Sequence, residues 1–432
     1  MNMKHLLMLS YFFPPHGGGG VLRPLQTARL LVDHGWRTTV VAGPESGWWL
    51  RDEGLLDGLP EEVDILRTRA LSGPGLLRAF RRGSRRQHGI VTGRSERTVR
   101  LFRGLADWLG VPDVYCGWIP FAVRAAIKVA GSADCILSTS PAESAHLAAR
   151  SVARTVKKPW VADFRDPWFR GIYRHYPTGL HESIQQRSER RVVAEASAVI
   201  ANTEAALDDF HSRYPDLPAD KFLVIPNGFD PQEFDRFQED RKKPGPLKII
   251  HAGGLTLDRD PTVVFEALAA LKAESPNGPP CRLEMVGLCD KSFREKAGTL
   301  GVDDLVGFTG PLPRAEVLDR LAGADAGLVL ESFRRGAELV VPGKTYDYLG
   351  AGLAVLAVVP EGAAARLVRE TGCGSVVTRK SVGAVKDALK KLLSRHAESE
   401  SPAGPRNTDA VRQYERPRLV NRLAGLLNKL AV

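Results

Sequence analysis

Apolar residues in this chain gather into short dense runs, separated by stretches in which they recur at helical spacing. The runs at 6–11, 38–42, 63–66, 135–138, 160–163, 198–201 and 223–225 are too short for helices and read as buried strands. Amphipathic helix patterns such as 22–33 and 144–155 lie between several of them. After a break the rhythm restarts, with strand runs at 248–251, 282–286, 306–309, 327–330, 354–358 and 375–377. Helical patterns at 261–274, 292–300, 314–322, 363–369 and 382–393 separate this second set. Strand and helix alternating in this way predict parallel sheets covered by helices on both faces. Two such series predict an α/β chain with two doubly wound, Rossmann-like domains.

The break falls at 231–246, a polar, charged stretch rich in Pro and Gly, which reads as a linker. It gives a first domain over 1–230 and a second over 247–405. Another polar stretch, 397–408, precedes a last helical pattern at 411–430, so 406–432 reads as a C-terminal helix.

Composition narrows the class. The chain has 432 residues, 43% hydrophobic and 25% charged, as in an ordinary water-soluble protein. No apolar run approaches the roughly 18 residues that a membrane span needs. The apolar start at 6–13 lacks a small-residue cleavage site and runs into Pro14-Pro15, so it reads as a first strand and not as a leader. The five cysteines are odd in number and have neither metal-ligand nor redox spacing, which suits a reducing cytoplasm and no structural zinc.

The net charge of +10 is concentrated in one segment, where Arg78, Arg81, Arg82, Arg85, Arg86, Arg94, Arg97, Arg100 and Arg103 face a single acid, Glu96. Leu76, Leu77, Phe80, Leu101 and Phe102 are interleaved with them. Such a basic amphipathic segment suits an anionic membrane surface, and equally a solvated basic helix or loop. No zinc-finger, RNA-binding or helix-turn-helix pattern accompanies it, so nucleic acid is not an expected partner.

In open α/β sheets ligands bind beyond the carboxyl ends of the strands, so chemistry is sought in the loops that follow them. Gly17-Gly18-Gly19-Gly20 follows the first strand and opens a helix, which suits close approach of an anion; the alternative is a flexible connection. Asp163-Phe164-Arg165-Asp166-Pro167-Trp168 crowds carboxylates, a guanidinium and an indole at a strand end, for sugar hydroxyls and a sugar face or for a buried Asp–Arg pair. His146 lies in the first turns of a helix, catalytic or structural. Gly253-Gly254 and Arg259 precede a Pro-started helix, where Arg259 would reach phosphate oxygens or pair with Asp258 or Asp260. In the Pro342 to Gly352 segment, Lys344 and Asp347 share one face of a helix start. They suit a phosphate and a ribose, or a surface ion pair with each other.

Together these segments resemble glycosyltransferase family 4, retaining enzymes of GT-B fold that use nucleotide sugars. The likeness rests on the Gly17 to Gly20 loop, Ile225-Pro226-Asn227-Gly228-Phe229-Asp230, Gly253-Gly254, Phe308-Thr309-Gly310 with Ala324-Asp325-Ala326, and the Pro342 to Gly352 segment. The Asp-Phe-Arg-Asp-Pro-Trp loop is similar to that of members that assemble bacterial surface or secreted glycans. The resemblance implies two facing domains with a cleft between them and a final helix crossing back to the first. It implies that Gly17, Gly18, Gly19 and Gly20 touch the diphosphate or donor sugar. Arg259 and Lys344 would neutralise the diphosphate, Asp347 would hold the ribose, and Thr309-Gly310 would lie near the base. It also implies front-face transfer with no metal and no cofactor beyond the donor.

The chain departs from the family pattern in three places. Two glutamates eight positions apart are usual, whereas Asp347 takes the second place and Leu339, next to Glu338, the first. Gly254 stands where Arg is frequent, and Arg165 where His is frequent. Arg165, Asp166 and His146 are therefore all candidates for the group that contacts the reacting sugar. The expected activity is transfer of a sugar to a glycan, lipid-linked or small-molecule acceptor at the cytoplasmic membrane face. A nucleotide-sugar epimerase of the same fold and a non-catalytic glycan-assembly scaffold are the alternatives.

Overall fold

The computed structural model describes residues 3–45, 50–71, 110–171, 176–235, 245–255, 258–274, 281–398 and 406–431. The arginine-rich segment from Arg78 to Arg103 and most of the expected linker lie outside the described residues.

Every strand read from the apolar runs is present. The first unit contains β1 (Lys4–Ser10), β2 (Trp36–Ala42), β3 (Val63–Arg67), β4 (Cys135–Thr139), β5 (Trp160–Phe164), β6 (Ala198–Ala201) and β7 (Phe222–Val224). They form one sheet in the order β3-β2-β1-β4-β5-β6-β7. The second contains β8 (Leu247–Ala252), β9 (Cys281–Val286), β10 (Val306–Gly310), β11 (Ala326–Leu330), β12 (Ala354–Val358) and β13 (Gly374–Val377), in the order β10-β9-β8-β11-β12-β13. Every pairing of these strands is parallel; Leu6, for example, lies beside Thr38 on one side and Cys135 on the other. Central strands lose both faces to helices, which is why Leu6–Leu9 and Ala354–Val358 are apolar and buried without alternation.

In each sheet the strand order reverses once, between β1 and β4 and between β8 and β11. The loops on either side of such a point diverge, which opens the crevice where open α/β sheets bind ligands.

The chain divides into two units, Met1–Pro226 with Val420–Val432, and Asn227–Leu419. The start of the expected linker, 231–235, packs inside the second unit, where Phe234 is buried against Phe229. The terminal helical pattern forms two helices instead of one, Thr408–Arg412 and Arg416–Leu430. The interruption has a cause. Phe229 donates its N–H to the Tyr414 carbonyl and accepts from the Arg416 N–H, so the backbone there pairs as an extended bridge. Pro417, near the start of the second helix, supplies no N–H for a continuous ladder. Among the described residues no helix is long and apolar enough to cross a membrane.

Candidate functional site

In the first unit the loop after β1 is built by two kinds of glycine. A Cβ on Gly17 would come within 2.8 Å of Leu50, to whose carbonyl the Gly17 N–H donates at 2.9 Å. Gly18 has φ +96°, the left-handed region. Gly19 and Gly20 are different: they begin the helix Gly19–Leu31, and among the described residues a Cβ at either would meet nothing within 4 Å. The fold itself therefore does not demand glycine at these two positions. The ground above a helix start is left open, where backbone N–H groups favour an anion.

Arg165 supports this loop from below. Its Nη1 donates to the Gly20 carbonyl at 2.5 Å and its Nη2 to the Gly19 carbonyl at 3.2 Å. The side chain is buried, and the Arg165 carbonyl accepts from Asn202 Nδ2. Asp163 is held by a different arginine than the sequence suggested. Arg23 grips both its oxygens, at 2.6 and 2.9 Å, and Thr139 Oγ1 donates to it at 2.9 Å. Of the three candidates for the reacting group, Asp166 is the exposed one.

His146, read as catalytic or structural, and Trp168, read as offering a face to a sugar, both turn inward. His146 is wholly buried, stacked on Phe164 at 4.4 Å, with Nδ1 2.8 Å from Ser138 Oγ. Burial lowers its pKa to about 4, so the ring is neutral. Trp168 is wholly buried and donates Nε1–H to Gln185 at 2.6 Å. The setting of both is that of core aromatics.

In the second unit the helix Gly343–Gly350 is pinned to the strand ends by Tyr348. Its ring covers Gly327 so closely that a Cβ there would sit 2.3 Å from it. Its hydroxyl accepts from the Ala252 N–H at 2.8 Å and donates to the Ile250 carbonyl at 3.2 Å. This seats the start of the helix at the carboxyl ends of β8 and β11, beside the strand-order reversal.

Four charged or polar side chains meet there. Arg259 forms a two-pronged pair with Glu331, at 3.1 and 2.8 Å, and Glu331 also accepts from the Ser332 N–H. Lys344 donates Nζ–H to His251 Nε2 at 2.7 Å. Among the described residues Lys344 makes no ion pair with a carboxylate. Burial and the Arg259 charge hold its pKa well below the ordinary lysine value, against the opposing pull of Glu331 and Asp347. Gly253, with φ +134°, passes so near that a Cβ would lie 3.0 Å from Lys344 Nζ.

Lys344 and Asp347 share a face but do not pair with each other. Both Asp347 oxygens accept from Arg314, at 2.9 and 2.8 Å, and Arg314 also reaches Glu233 at 2.7 Å. Glu338 accepts from the Gly336 N–H at 2.8 Å in a turn ahead of this helix. Gly310 ends β10 with φ +83°. Gly254 is half-buried beside the Leu288 carbonyl. Arg259 passes over Asp258 and Asp260, the partners the sequence suggested: Asp258 pairs with Arg334, and Asp260 accepts from the Thr262 N–H.

The sequence matches known families along nearly all of its length. Residues 18–228 match the glycosyl transferase 4-like domain, and residues 232–404 match glycosyl transferases group 1. The chain belongs to glycosyltransferase family 4. The D-inositol 3-phosphate glycosyltransferase of Actinosynnema mirum is 30% identical over 215 residues, covering 48% of this chain and 47% of that protein. The match thus spans about half the length of that relative. HepE from Anabaena, solved in complex with UDP and glucose, aligns with a TM-score of 0.66 at 17% identity, covering 99% of this chain and 100% of that one. Sucrose-phosphate synthase from Thermosynechococcus elongatus aligns at 0.67 with 12% identity, covering 99% of each. These structures share the GT-B fold with this chain.

Three residues of this family 4 chain were not singled out by its sequence: His251, Glu331 and Arg314. A histidine inside the apolar run of β8 and a glutamate directly after β11 were signals, because polar residues at the carboxyl end of parallel strands sit where ligands bind. Arg314 carried none, since an arginine opening an amphipathic helix is ordinary. Among the described residues no cluster of three or more His, Cys, Asp or Glu is placed to hold a metal ion.

Proposed function

We propose that this protein transfers a sugar from a nucleoside-diphosphate sugar to an acceptor with retention of configuration, in the assembly of a bacterial glycan or glycoconjugate. One observation carries the reading: Arg259 and Lys344 lie at the same strand ends, where Glu331 pairs with Arg259, and Lys344 is held against histidine rather than an acid. Positive charge kept partly desolvated is costly unless an anion completes it. A diphosphate leaving group is such an anion. The cations and the start of the helix Gly343–Gly350 would stabilise the charge that develops as the sugar–phosphate bond breaks.

Asp347, fixed by Arg314, would present its remaining lone pairs to the ribose hydroxyls. The open N–H groups at Gly19 and Gly20, together with the exposed Asp166, are the groups for the reacting sugar and acceptor. HepE was solved with UDP and with UDP-glucose, which favours a nucleotide sugar as the donor class. We further propose that the Arg78 to Arg103 segment brings the enzyme to an anionic membrane surface where lipid-linked acceptors reside.

The test is a thermal-shift screen with UDP, GDP, ADP and their glucose or mannose conjugates, since a ligand that binds the native state raises its melting temperature. A shift with one nucleotide series that disappears in Lys344→Ala is the expected result. No shift with any of them overturns the reading.

A further inference from the structure

We propose that His251 is a positioning residue for the diphosphate site: its ring, tied at Nδ1, offers a lone pair at Nε2 that aims the Lys344 ammonium. The inference rests on the reading of Lys344 as a diphosphate ligand and deepens it.

The hydrogen-bond pattern fixes the ring. Nδ1 lies 2.9 Å from the Leu328 carbonyl, which can only accept, so the proton of the neutral ring sits on Nδ1. Nε2 is then a bare acceptor, and at 2.7 Å it faces an ammonium, which can only donate. Protonation of the ring would place two donors against each other. Burial and the neighbouring Lys344 and Arg259 charges oppose that protonation as well. His251 is wholly buried, and both its anchors are strand groups: it stands on β8 and Leu328 on β11, the pair that flanks the strand-order reversal.

Lysine has a flexible stem and a rotatable head, so it binds anions well only where something holds it. The charged groups that face Lys344 are Arg259 from the loop after β8, Glu331 at the end of β11 and Asp347 on its own helix. None of them accepts a hydrogen bond from it among the described residues; Glu331 is engaged by Arg259, and Asp347 by Arg314. The imidazole is thus the acceptor that orients the ammonium without cancelling its charge. A carboxylate at 251 would orient it equally well but would compete with a phosphate for it. Accepting from the charged head also favours the ammonium form over the neutral amine, against the desolvation that works the other way.

Isothermal titration with UDP, GDP and ADP between pH 6.5 and 9.5 tests this on the full-length protein. Diphosphate binding needs charged Lys344, so it falls as pH rises through the pKa of that lysine. His251→Leu removes the acceptor and is expected to weaken binding about tenfold at neutral pH, moving the alkaline limb to lower pH. His251→Gln, whose amide oxygen replaces the lone pair, is expected to restore both. Equal weakening in the two variants with an unmoved limb would mean packing alone and would overturn the proposal. If Lys344→Ala binds as tightly as the native protein, the diphosphate reading falls and this one with it. If Lys344→Ala loses binding while His251→Leu does not, only this one falls. Should His251→Leu fail to fold, nitrogen NMR of histidine-labelled native protein decides. The expected tautomer carries its proton on Nδ1, and a ring protonated on Nε2 refutes the assignment.

Discussion

Arg165 Nη1 lies 2.5 Å from the carbonyl oxygen of Gly20, so a guanidinium that the sequence offers for chemistry is joined instead to the backbone of the glycine loop. Its second prong reaches Gly19. Arg165→Lys keeps the charge but loses the two-pronged geometry. We expect it to lower kcat/KM about tenfold and to raise hydrogen exchange at 17–21, with a stability loss of about 1–3 kcal/mol. A fall in kcat with exchange in the loop unchanged would point to direct contact with the reacting sugar.

Gly20→Ala separates folding from function. Among the described residues its Cβ meets nothing within 4 Å, and alanine is favoured over glycine in a helix by about 0.5–1 kcal/mol. Urea unfolding should show unchanged or slightly higher stability, while sugar transfer falls because the open ground above the helix start is filled. Gly253→Ala should behave differently, losing both stability and nucleotide affinity, since φ is +134° and Lys344 Nζ stands 3.0 Å from the new carbon. If Gly20→Ala left transfer untouched, the glycine loop would have no part in binding.

Arg314 and Asp347 should be strongly coupled. Arg314→Met leaves Asp347 and Glu233 without their shared cation, at a cost of about 2–4 kcal/mol by denaturant unfolding. The double variant Arg314→Met/Asp347→Asn should cost less than the sum of the two single changes, with a coupling of about 1–3 kcal/mol. Additive losses would show that the pair contributes no specific interaction.

Lys344→Met should yield a protein that folds at least as well as the native one but binds nucleotide poorly. The native-state pKa of Lys344 is depressed, so the unfolded chain binds more protons over the interval up to the ordinary lysine value. Native stability therefore gains with rising pH in that window, as the desolvated charge is relieved. The advantage of Lys344→Met in melting temperature should be largest near pH 7 and shrink towards pH 10. An advantage that does not vary with pH would mean that the ammonium is not strained.

His146 sets acid sensitivity. Its pKa falls from 6.5 in the unfolded chain to about 4 in the fold, so the native state takes up its proton late. Stability from this residue is complete above pH 6.5 and declines by about 3 kcal/mol as pH falls to 4. His146→Leu should unfold at lower pH than the native protein while transferring sugar at a similar rate. A large loss of turnover without loss of stability would return His146 to the catalytic candidates.

The strands of this protein were legible because a strand buried on both faces must be apolar throughout, a property of contiguous residues. The pairs that shape the candidate site are not contiguous. Arg259 and Glu331 are 72 positions apart, Arg314 and Asp347 are 33 apart, and His251 and Lys344 are 93 apart. The sequence shows that Lys344 and Asp347 share a helix face, which suggests that they pair with each other. It does not show that the sheet brings each a nearer partner. Trp168 misled for a related reason, and His146 stayed open for it: loop position and side-chain chemistry admit ligand contact, while the aromatic layer that absorbs them is assembled from separate segments.

The adjacency of β8 and β11 has a practical consequence. His251 arrives on one strand, Leu328 and Glu331 on or just after the other, and β9 and β10 intervene in the chain but not at that seam in the sheet. A cut in the connection before Ala326 would give one fragment with His251 and Arg259 and another with Lys344 and its helix. If Arg259 and Lys344 hold the diphosphate as proposed, neither half would bind it. Retention of nucleotide by a mixture of the two would then report their reassembly, which makes this seam a natural place to divide the enzyme into a split reporter.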